Sequence, residues 1–350
     1  RWFSNDTIIA ITGSNGKTTT SHMLYNMCQS KEIEGTMAGN MGIPFSERVL
    51  NNIKDPKENI LYILEISSFQ LEFIKHFSPD ILVYTNISPD HLDRHGSMEE
   101  YINMKLNALI NMKDKGQIVY NKDDSILEEV LSPFLYKKQP FSTKSKDVLY
   151  NIDNKNIIGP SDDKILKTDE LGIPGEHNLQ NFLAASTCSH LMGISQDQIV
   201  RTLKEFKGVE HRLEYVRTIN EVEYINDSKA TNINSVIVAI NTYDRPIILI
   251  LGGLNKGANF RLLLPHIKSS HVRDIVSYGD AGGQINTALG DAVRSVQVTD
   301  LSSAVKKAQL MAAPGDIVLL SPGCASYDEF SNFEERGNHF KSIIKNIAIS

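Results

Sequence analysis

The sequence predicts an α/β chain of two domains built on mostly parallel sheets. Three observations carry that prediction: short apolar runs alternate with amphipathic segments, a glycine-rich loop separates a strand from a helix, and the chain is 350 residues long. Single hydrophobic cores usually stop growing near ~250 residues, so a chain of this length with 41% hydrophobic residues divides into two.

The elements follow in order. Runs at 7–11, 60–64, 81–85 and 118–120 are short, β-branched and apolar on both faces, the pattern of strands buried in a parallel sheet. Ser97-Met98-Glu99-Glu100 is a capping-box signature; it opens a helix to about residue 111 and sets Lys105 mid-helix, where a lysine ordinarily lies on a solvated face. Residues 147–173 are polar and turn-rich, which predicts small antiparallel strands at the sheet margin, followed by a helix over 178–191. Near Gly208 a second unit begins with a hairpin, 213–216 against 222–225. Its βα alternation continues with strands at 247–251, 274–278 and 317–320 and helices at 302–311 and 336–347, so the domains are read as 1–208 and 209–350. No repeat or low-complexity tract interrupts them.

Composition narrows the function classes. Thirty-six Lys+Arg against 42 Asp+Glu give a net charge of -6, which argues against a general nucleic-acid or anionic-membrane binder and points to small-molecule partners. Cys28, Cys188 and Cys324 are odd in number and scattered, unlike a zinc site or a disulfide framework, which fits a reducing cytoplasm. No run approaches the ~20 apolar residues that cross a bilayer, so membrane insertion is not expected. The chain opens at Arg1 without an initiator Met or a signal-like region, which reads as a cut at a domain boundary.

Thr12-Gly13-Ser14-Asn15-Gly16-Lys17-Thr18, continuing to Thr19, follows a predicted strand and opens a predicted helix, the setting of a phosphate-binding loop. Gly13 and Gly16 let backbone N–H groups approach phosphate oxygens, Lys17 supplies a point charge, and the Thr18 hydroxyl suits Mg²⁺. Ile11 stands where the strict pattern has its first glycine, and an ordinary βα turn with a surface lysine is the competing reading. The first domain is thereby read as P-loop ATPase-like and the smaller second one as Rossmann-like. Glu65 ends a buried strand and precedes Ser67-Ser68-Phe69-Gln70; at the carboxyl edge of a parallel sheet it suits a hard-oxygen Mg²⁺ ligand, whereas alone it would be a solvated rim residue. His91, set among Asp90, Asp93 and Arg94 after a third strand, reads equally as a metal or phosphate neighbour and as a hydrogen-bonded structural histidine.

Nine ordered segments extend the pattern: TGSNGKTT (12–19), GNMGIP (39–44), EISSFQLE (65–72), NISPDHLDRHGSMEEY (86–101), GEHNLQN (175–181), EHRLE (210–214), NDSKATN (226–232), LGGLNKGANF (251–260) and SPGCASYDEFSNFEERG (321–337). Over nearly the whole chain they resemble the Mur ligase family. The first segment alone would fit many nucleotide-binding proteins; NDSKATN and the 321–337 segment resemble the D-glutamate-adding branch.

The resemblance implies an ATP-dependent, ADP-forming amide ligase of peptidoglycan precursor synthesis, monomeric and cytoplasmic, that joins D-glutamate to UDP-N-acetylmuramoyl-L-alanine through an acyl phosphate. It implies that Lys17 and Thr18 hold the ATP phosphates and one Mg²⁺, that Glu65 and His91 complete metal and phosphate contacts, and that Lys105 is carbamylated to help bind a second Mg²⁺. Nothing in the sequence itself reveals that modification. Asn178, Asn181, Arg212 and Asp227 match ATP-contact positions, with adenine edges suiting the amides and ribose hydroxyls the carboxylate. Lys229, Thr231, Lys256, Ser326, Tyr327 and Phe333 match positions that gather D-glutamate; Asn40 and Ser67 match the side of the muramyl-alanine substrate. Closure of the second domain is expected to assemble the site.

This sequence departs from the family pattern at Tyr327, a position more often Leu in the family, and at Leu254-Asn255, which replaces the usual Asp-Gly before Lys256. The UDP-binding domain expected ahead of Thr7 lies outside these 350 residues. Two other readings stand at this level: another amide ligase of the superfamily, including the folylpolyglutamate type, or a catalytically silent ATP-binding module. Relatives that add a diamino acid carry a DNPR-like motif, which does not occur here.

Overall fold

The computed structural model describes residues 6–29, 33–40, 42–89, 92–173 and 175–347. The chain divides into two compact units, Arg1–Lys207 and Gly208–Ser350.

The first unit is built on six strands: β1 (Thr7–Thr12), β2 (Glu34–Gly39), β3 (Ile60–Glu65), β4 (Ile81–Tyr84), β5 (Gln117–Asn121) and β6 (Lys137–Phe141). They lie in the order β2-β3-β1-β4-β5-β6, and every pairing is parallel. β1 sits between β3 and β4 and is apolar on both faces. Ile8 and Ala10 join Tyr62, Leu64, Leu82 and Tyr84 in a core that includes Leu71, Tyr101 and Leu127 from three covering helices. Met23, Leu24, Phe182 and Leu183, all buried, come from the helices Lys17–Met27 and Glu176–Leu191, which pack against each other. Strands so enclosed need apolar residues at successive positions, which is why their sequences were legible.

The strands that the sequence did not announce include edges: β2, fully buried at only two of its six positions, and β6, KKQPF, with two lysines and a proline. Edge strands bury too little to need an apolar run, and lysine or proline there blocks further pairing. The margin expected over 147–173 contains an antiparallel three-stranded sheet, β7 (Asn151–Asp153), β8 (Asn156–Ile158) and β9 (Lys164–Lys167). The helix capped by Ser97 spans Met98–Leu106 and tightens into a 3₁₀ turn at Asn107–Leu109, ending short of the expected residue 111. Lys105 therefore occupies the last turn rather than mid-helix, and it is 1% exposed, so it does not lie on the solvated face ordinary for a helical lysine.

The second unit opens with the antiparallel pair β10 (Glu214–Ile219) and β11 (Val222–Asn226), followed by β12 (Ile247–Gly252), β13 (Val272–Tyr278), β14 (Arg294–Gln297) and β15 (Ile317–Gly323). Their order is β10-β11-β15-β12-β13-β14, with β11 to β14 mutually parallel through β15. One face packs Leu249, Leu251, Ile275 and Leu319 against Val236, Leu263 and Ile285. The other packs Ile248, Ile250, Val276 and Leu320 against Ala304, Val305, Phe340 and Ile344. The strand order reverses beside β12, placing a crevice at the carboxyl ends of β12 and β15 where ligands bind in open α/β sheets.

Leu249, at 0% exposure on β12, and Leu135, at 100%, bracket the packing. Leu249→Ala is expected to cost about 2–5 kcal/mol in urea unfolding, and Leu135→Ala less than about 0.5 kcal/mol; equal effects would contradict this core.

Candidate functional site

In the first unit the loop after β1 turns through two glycines in the left-handed region, Gly13 at φ 146° and Gly16 at φ 83°. A Cβ on Gly13 would strike Thr85 Oγ1, and one on Gly16 would strike Asn181 Oδ1, so close approach and backbone conformation both demand glycine. The helix Lys17–Met27 then starts from Gly16 with no side-chain cap, and the positive dipole end of a helix suits an anion.

Lys17 Nζ donates to Gly13 O and to Ser14 O, both at 2.9 Å. Lys105 Nζ reaches the same Gly13 O at 2.8 Å and lies 4.6 Å over the Tyr101 ring. Two ammonium groups thus meet on one carbonyl oxygen. Tyr101, buried, pairs its hydroxyl with Ser14 Oγ at 2.9 Å, so the helix that carries Lys105 is also tied to the loop. Thr18 and Thr19 are buried in the first helical turn, and Asn15 is exposed.

Glu65, at the end of β3, is 3% exposed. Its Oε1 accepts Asn40 Nδ2 at 3.0 Å, while Oε2 is buried without a hydrogen-bond partner. An unsatisfied buried carboxylate oxygen costs more than a neutral group, and a hard cation would satisfy it. Together with the Thr18 hydroxyl the donor chemistry fits Mg²⁺. Among the described residues no three His, Cys, Asp or Glu gather as a metal site of their own, so an ion held here would draw further ligands from phosphate and water. Lys105 as an ammonium is a donor only and cannot ligate a cation unmodified. His91 lies outside the described residues.

Ser67 is engaged locally: its hydroxyl accepts the Gln70 amide while Gln70 Oε1 accepts the Ser67 amide, a capping box for the helix Ser68–Glu72. Asn178 and Asn181 lie in the first two turns of Glu176–Leu191, where Asn181 bonds Asn178 Oδ1 at 3.4 Å and accepts Thr20 Oγ1 at 3.3 Å. They are thereby held against the phosphate-loop helix.

In the second unit Asp227 follows β11 and is 5% exposed. Its oxygens accept Ser321 Oγ at 2.8 Å and the Leu213 amide at 3.2 Å. Burial raises its pKa from 3.8 to about 7, against the opposing pull of the Ser321 bond and the Arg212 charge. Neighbouring His211 is held below the usual histidine value by burial first and the Lys341 charge second; Asn226 Nδ2 donates to its Nδ1 at 3.0 Å. Lys229 stands 5.9 Å from the Phe333 ring, and Lys256 4.6 Å over the Tyr327 ring. Ser326 is buried; Thr231 is exposed.

Arg336, which the sequence did not single out, joins these parts. It is 0% exposed, and its guanidinium donates to Ser228 Oγ at 3.0 Å, Ser228 O at 2.8 Å and Cys324 O at 3.1 Å. Ser228 in turn donates to Phe333 O at 2.8 Å. The segments bearing Asp227 and Lys229, Ser326, and Phe333 are therefore tied to one buried cation. A second tie pairs Leu254 with Ala325 in both directions, bringing the Lys256 loop beside Tyr327. Arg336 lies inside the FEERG segment quoted above, but an arginine on a helix pattern gives no sign that it is buried.

Comparison with known proteins follows the same division. The Mur ligase middle domain matches residues 11–189, and the Mur ligase glutamate ligase domain matches residues 211–324. The chain is 40% identical over 349 residues to the UDP-N-acetylmuramoylalanine–D-glutamate ligase of Clostridioides difficile (strain 630), covering 98% of this chain and 76% of that protein. It is 41% identical over 348 residues to the ligase of the same name from Natranaerobius thermophilus, covering 97% and 74%. Among solved structures it resembles MurF ligase from Thermotoga maritima in complex with ADP, with a TM-score of 0.70 at 18% identity over 98% of this chain and 81% of that one. UDP-N-acetylmuramate–alanine ligase MurC from Thermotoga maritima gives a TM-score of 0.66 at 18% identity over 97% and 76%. At such identities the structural likeness speaks for fold.

Asp227 sets a pH signature. A carboxylate whose folded pKa stands above its unfolded one contributes stability that is complete below pH 4 and is lost as pH rises toward its folded value of about 7. Between pH 5 and pH 8, Asp227→Asn should therefore gain on the parent by about 2–3 kcal/mol in unfolding free energy. A pH-independent difference between the two proteins would refute the raised pKa.

Proposed function

This chain belongs to the Mur ligase family, and from that premise we propose that it forms the amide bond between UDP-N-acetylmuramoyl-L-alanine and D-glutamate at the expense of ATP. The carrying observation is the meeting of Lys17 and Lys105 on Gly13 O beside an uncapped helix start. The Lys17 ammonium at a phosphate loop matches chemistry in which negative charge builds on a transferring phosphoryl group, and Lys105 lies on the same carbonyl beside it. The names of relatives about 40% identical supply the acceptor and the amino acid.

In the proposed reaction the alanyl carboxylate attacks the γ-phosphorus of ATP, the bond to ADP breaks, and an acyl phosphate forms. The D-glutamate amine then attacks the acyl carbon; phosphate leaves with the bonding electrons, the amine nitrogen loses a proton, and the amide remains. Lys17 and the N–H groups at the loop offset charge on the phosphoryl. Thr18 and Glu65, with His91, would hold Mg²⁺, which supplies charge neutralisation at the phosphate oxygens. Carbamylation of Lys105 is part of the same reading: its Nζ would exchange the bond to Gly13 O for a carbamate whose oxygens suit a second Mg²⁺.

Asn178, Asn181, Arg212 and Asp227 form the nucleoside contacts of this reading, and Asn40 and Ser67 lie on the acceptor side. Lys229, Thr231, Lys256, Ser326, Tyr327 and Phe333 gather D-glutamate, the two lysines facing its carboxylates. The two departures from the family pattern both bear on Lys256. Tyr327 offers it an aromatic face, and Asn255 staples its loop through Ala258 N at 2.7 Å and Gln284 Oε1 at 2.7 Å. The protein is read as a cytoplasmic monomer, and none of its described helices is long and apolar enough to cross a membrane.

ADP release should require ATP, Mg²⁺, UDP-N-acetylmuramoyl-L-alanine and D-glutamate together, with L-glutamate inactive. Lys17→Ala should lower it at least about hundredfold; retention of most of the rate would sink the assignment. Tyr327→Leu is expected to raise the D-glutamate KM about 2–5-fold, the scale of an exposed cation–π contact, with the ATP KM unchanged. An unaltered D-glutamate KM would show that the ring does not serve Lys256.

A further inference from the structure

Asn15 is exposed at the crown of the phosphate loop, yet its peptide groups are bracketed from the loop that follows β4. Asn86 Oδ1 accepts the Asn15 N–H at 2.9 Å, and Asn86 Nδ2 donates to Asn15 O at 3.1 Å, so one carboxamide engages both polar groups of one residue. Thr85 Oγ1 donates to the same Asn15 O at 2.6 Å. One residue earlier, the Ser14 N–H donates to the main-chain oxygen of Asn86 at 2.9 Å.

The consequence follows from peptide geometry. In a planar trans peptide the C=O and N–H point to opposite sides. Holding the Ser14 N–H on Asn86 O therefore aims the Gly13 carbonyl away from Asn86, and it is this oxygen that receives Lys17 and Lys105. Holding the Asn15 N–H on Asn86 Oδ1 likewise aims Ser14 O, the second acceptor of Lys17. Both N–H groups are engaged by Asn86, and of the groups whose place these two peptide planes set, the Lys17 ammonium is the one suited to phosphate. Thr85 fits because Gly13 has no Cβ; the hydroxyl stands where one would be.

We propose that Asn86 is a positioning residue for phosphoryl transfer: with Thr85 it orients two successive peptide planes of the phosphate loop and so sets where the Lys17 ammonium group stands. It acts through that lysine and touches no reacting atom. The inference rests on the reading of residues 12–18 as the ATP phosphate site.

The test compares ATP with adenosine, measured by calorimetry on the full chain with Mg²⁺, because only ATP senses the phosphate loop. Asn86→Ala should lower the ATP-to-adenosine affinity ratio about tenfold, equivalent to one or two charge-assisted hydrogen bonds, while adenosine affinity stays within about twofold. Thr85→Val, near-isosteric but without the hydroxyl, should lower the ratio about threefold, and Thr85→Ser should restore it. An unchanged ratio in Asn86→Ala, or parallel weakening of both ligands as general loosening would produce, overturns the proposal. If Asn86→Ala does not fold, the Val–Ser comparison at Thr85 decides by the same ratio. Lys17→Ala is the control: if it leaves the ratio unaltered, the phosphate-site reading itself fails and the role of Asn86 falls with it.

Discussion

All six strands of the first sheet run the same way, and that constraint decides where the polar chemistry of this unit can be. The middle strands are enclosed on both faces and must be apolar along their length. The backbone leaves every strand at one edge, so the first positions free to be polar or glycine are the loops on that edge. The phosphate loop after β1, Glu65 at the end of β3, Asn40 after β2, and Thr85 and Asn86 after β4 share it for this reason. β1 lies between β3 and β4, which puts the loops of its neighbours within hydrogen-bonding reach of its own.

The second unit applies the same constraint with a different device. Its carboxyl edge carries loops rich in small residues that would otherwise be loosely held, and a single buried arginine organises them. Among the described residues no carboxylate hydrogen-bonds Arg336; two carbonyl oxygens and a hydroxyl accept from its guanidinium. Burying a charge is expensive unless its donors are satisfied, so the loop geometry and the charge stabilise each other. Asp227 is the counterpart, a buried carboxylate held by a hydroxyl and an amide, with a pKa raised toward neutrality. Both polar groups carry a desolvation cost at the edge where ligands bind, whereas the middle of the same sheet is built from Ile, Leu and Val.

Glu65 Oε2 is a deficit of the same kind that the chain leaves open. A buried oxygen without a partner is tolerated where a ligand supplies one, and its neighbours on the sheet edge are the groups best suited to phosphate. Lys105 is the converse case. Its ammonium is held by a carbonyl and an aromatic face and has no lone pair, so any role as a metal ligand requires covalent conversion to an oxygen donor.

The sequence by itself determined the alternation of buried strands and helices and the glycine-bearing turn between β1 and the helix that follows it, because each rests on local patterns of apolarity and glycine. It also carried the family motifs, and with them the proposed site. Tertiary structure alone decided the edge strands β2, β6 and β14, which bury too little to show a pattern. It decided that Lys105 is buried rather than solvated, that Arg336 lies in the interior of the second unit, and that Asn86 grips Asn15. In each of these a deciding partner, Gly13, Ser228 or Asn15, lies 71 to 108 positions away, and no local pattern of a sequence records which distant carbonyl a lysine, an arginine or an asparagine will meet.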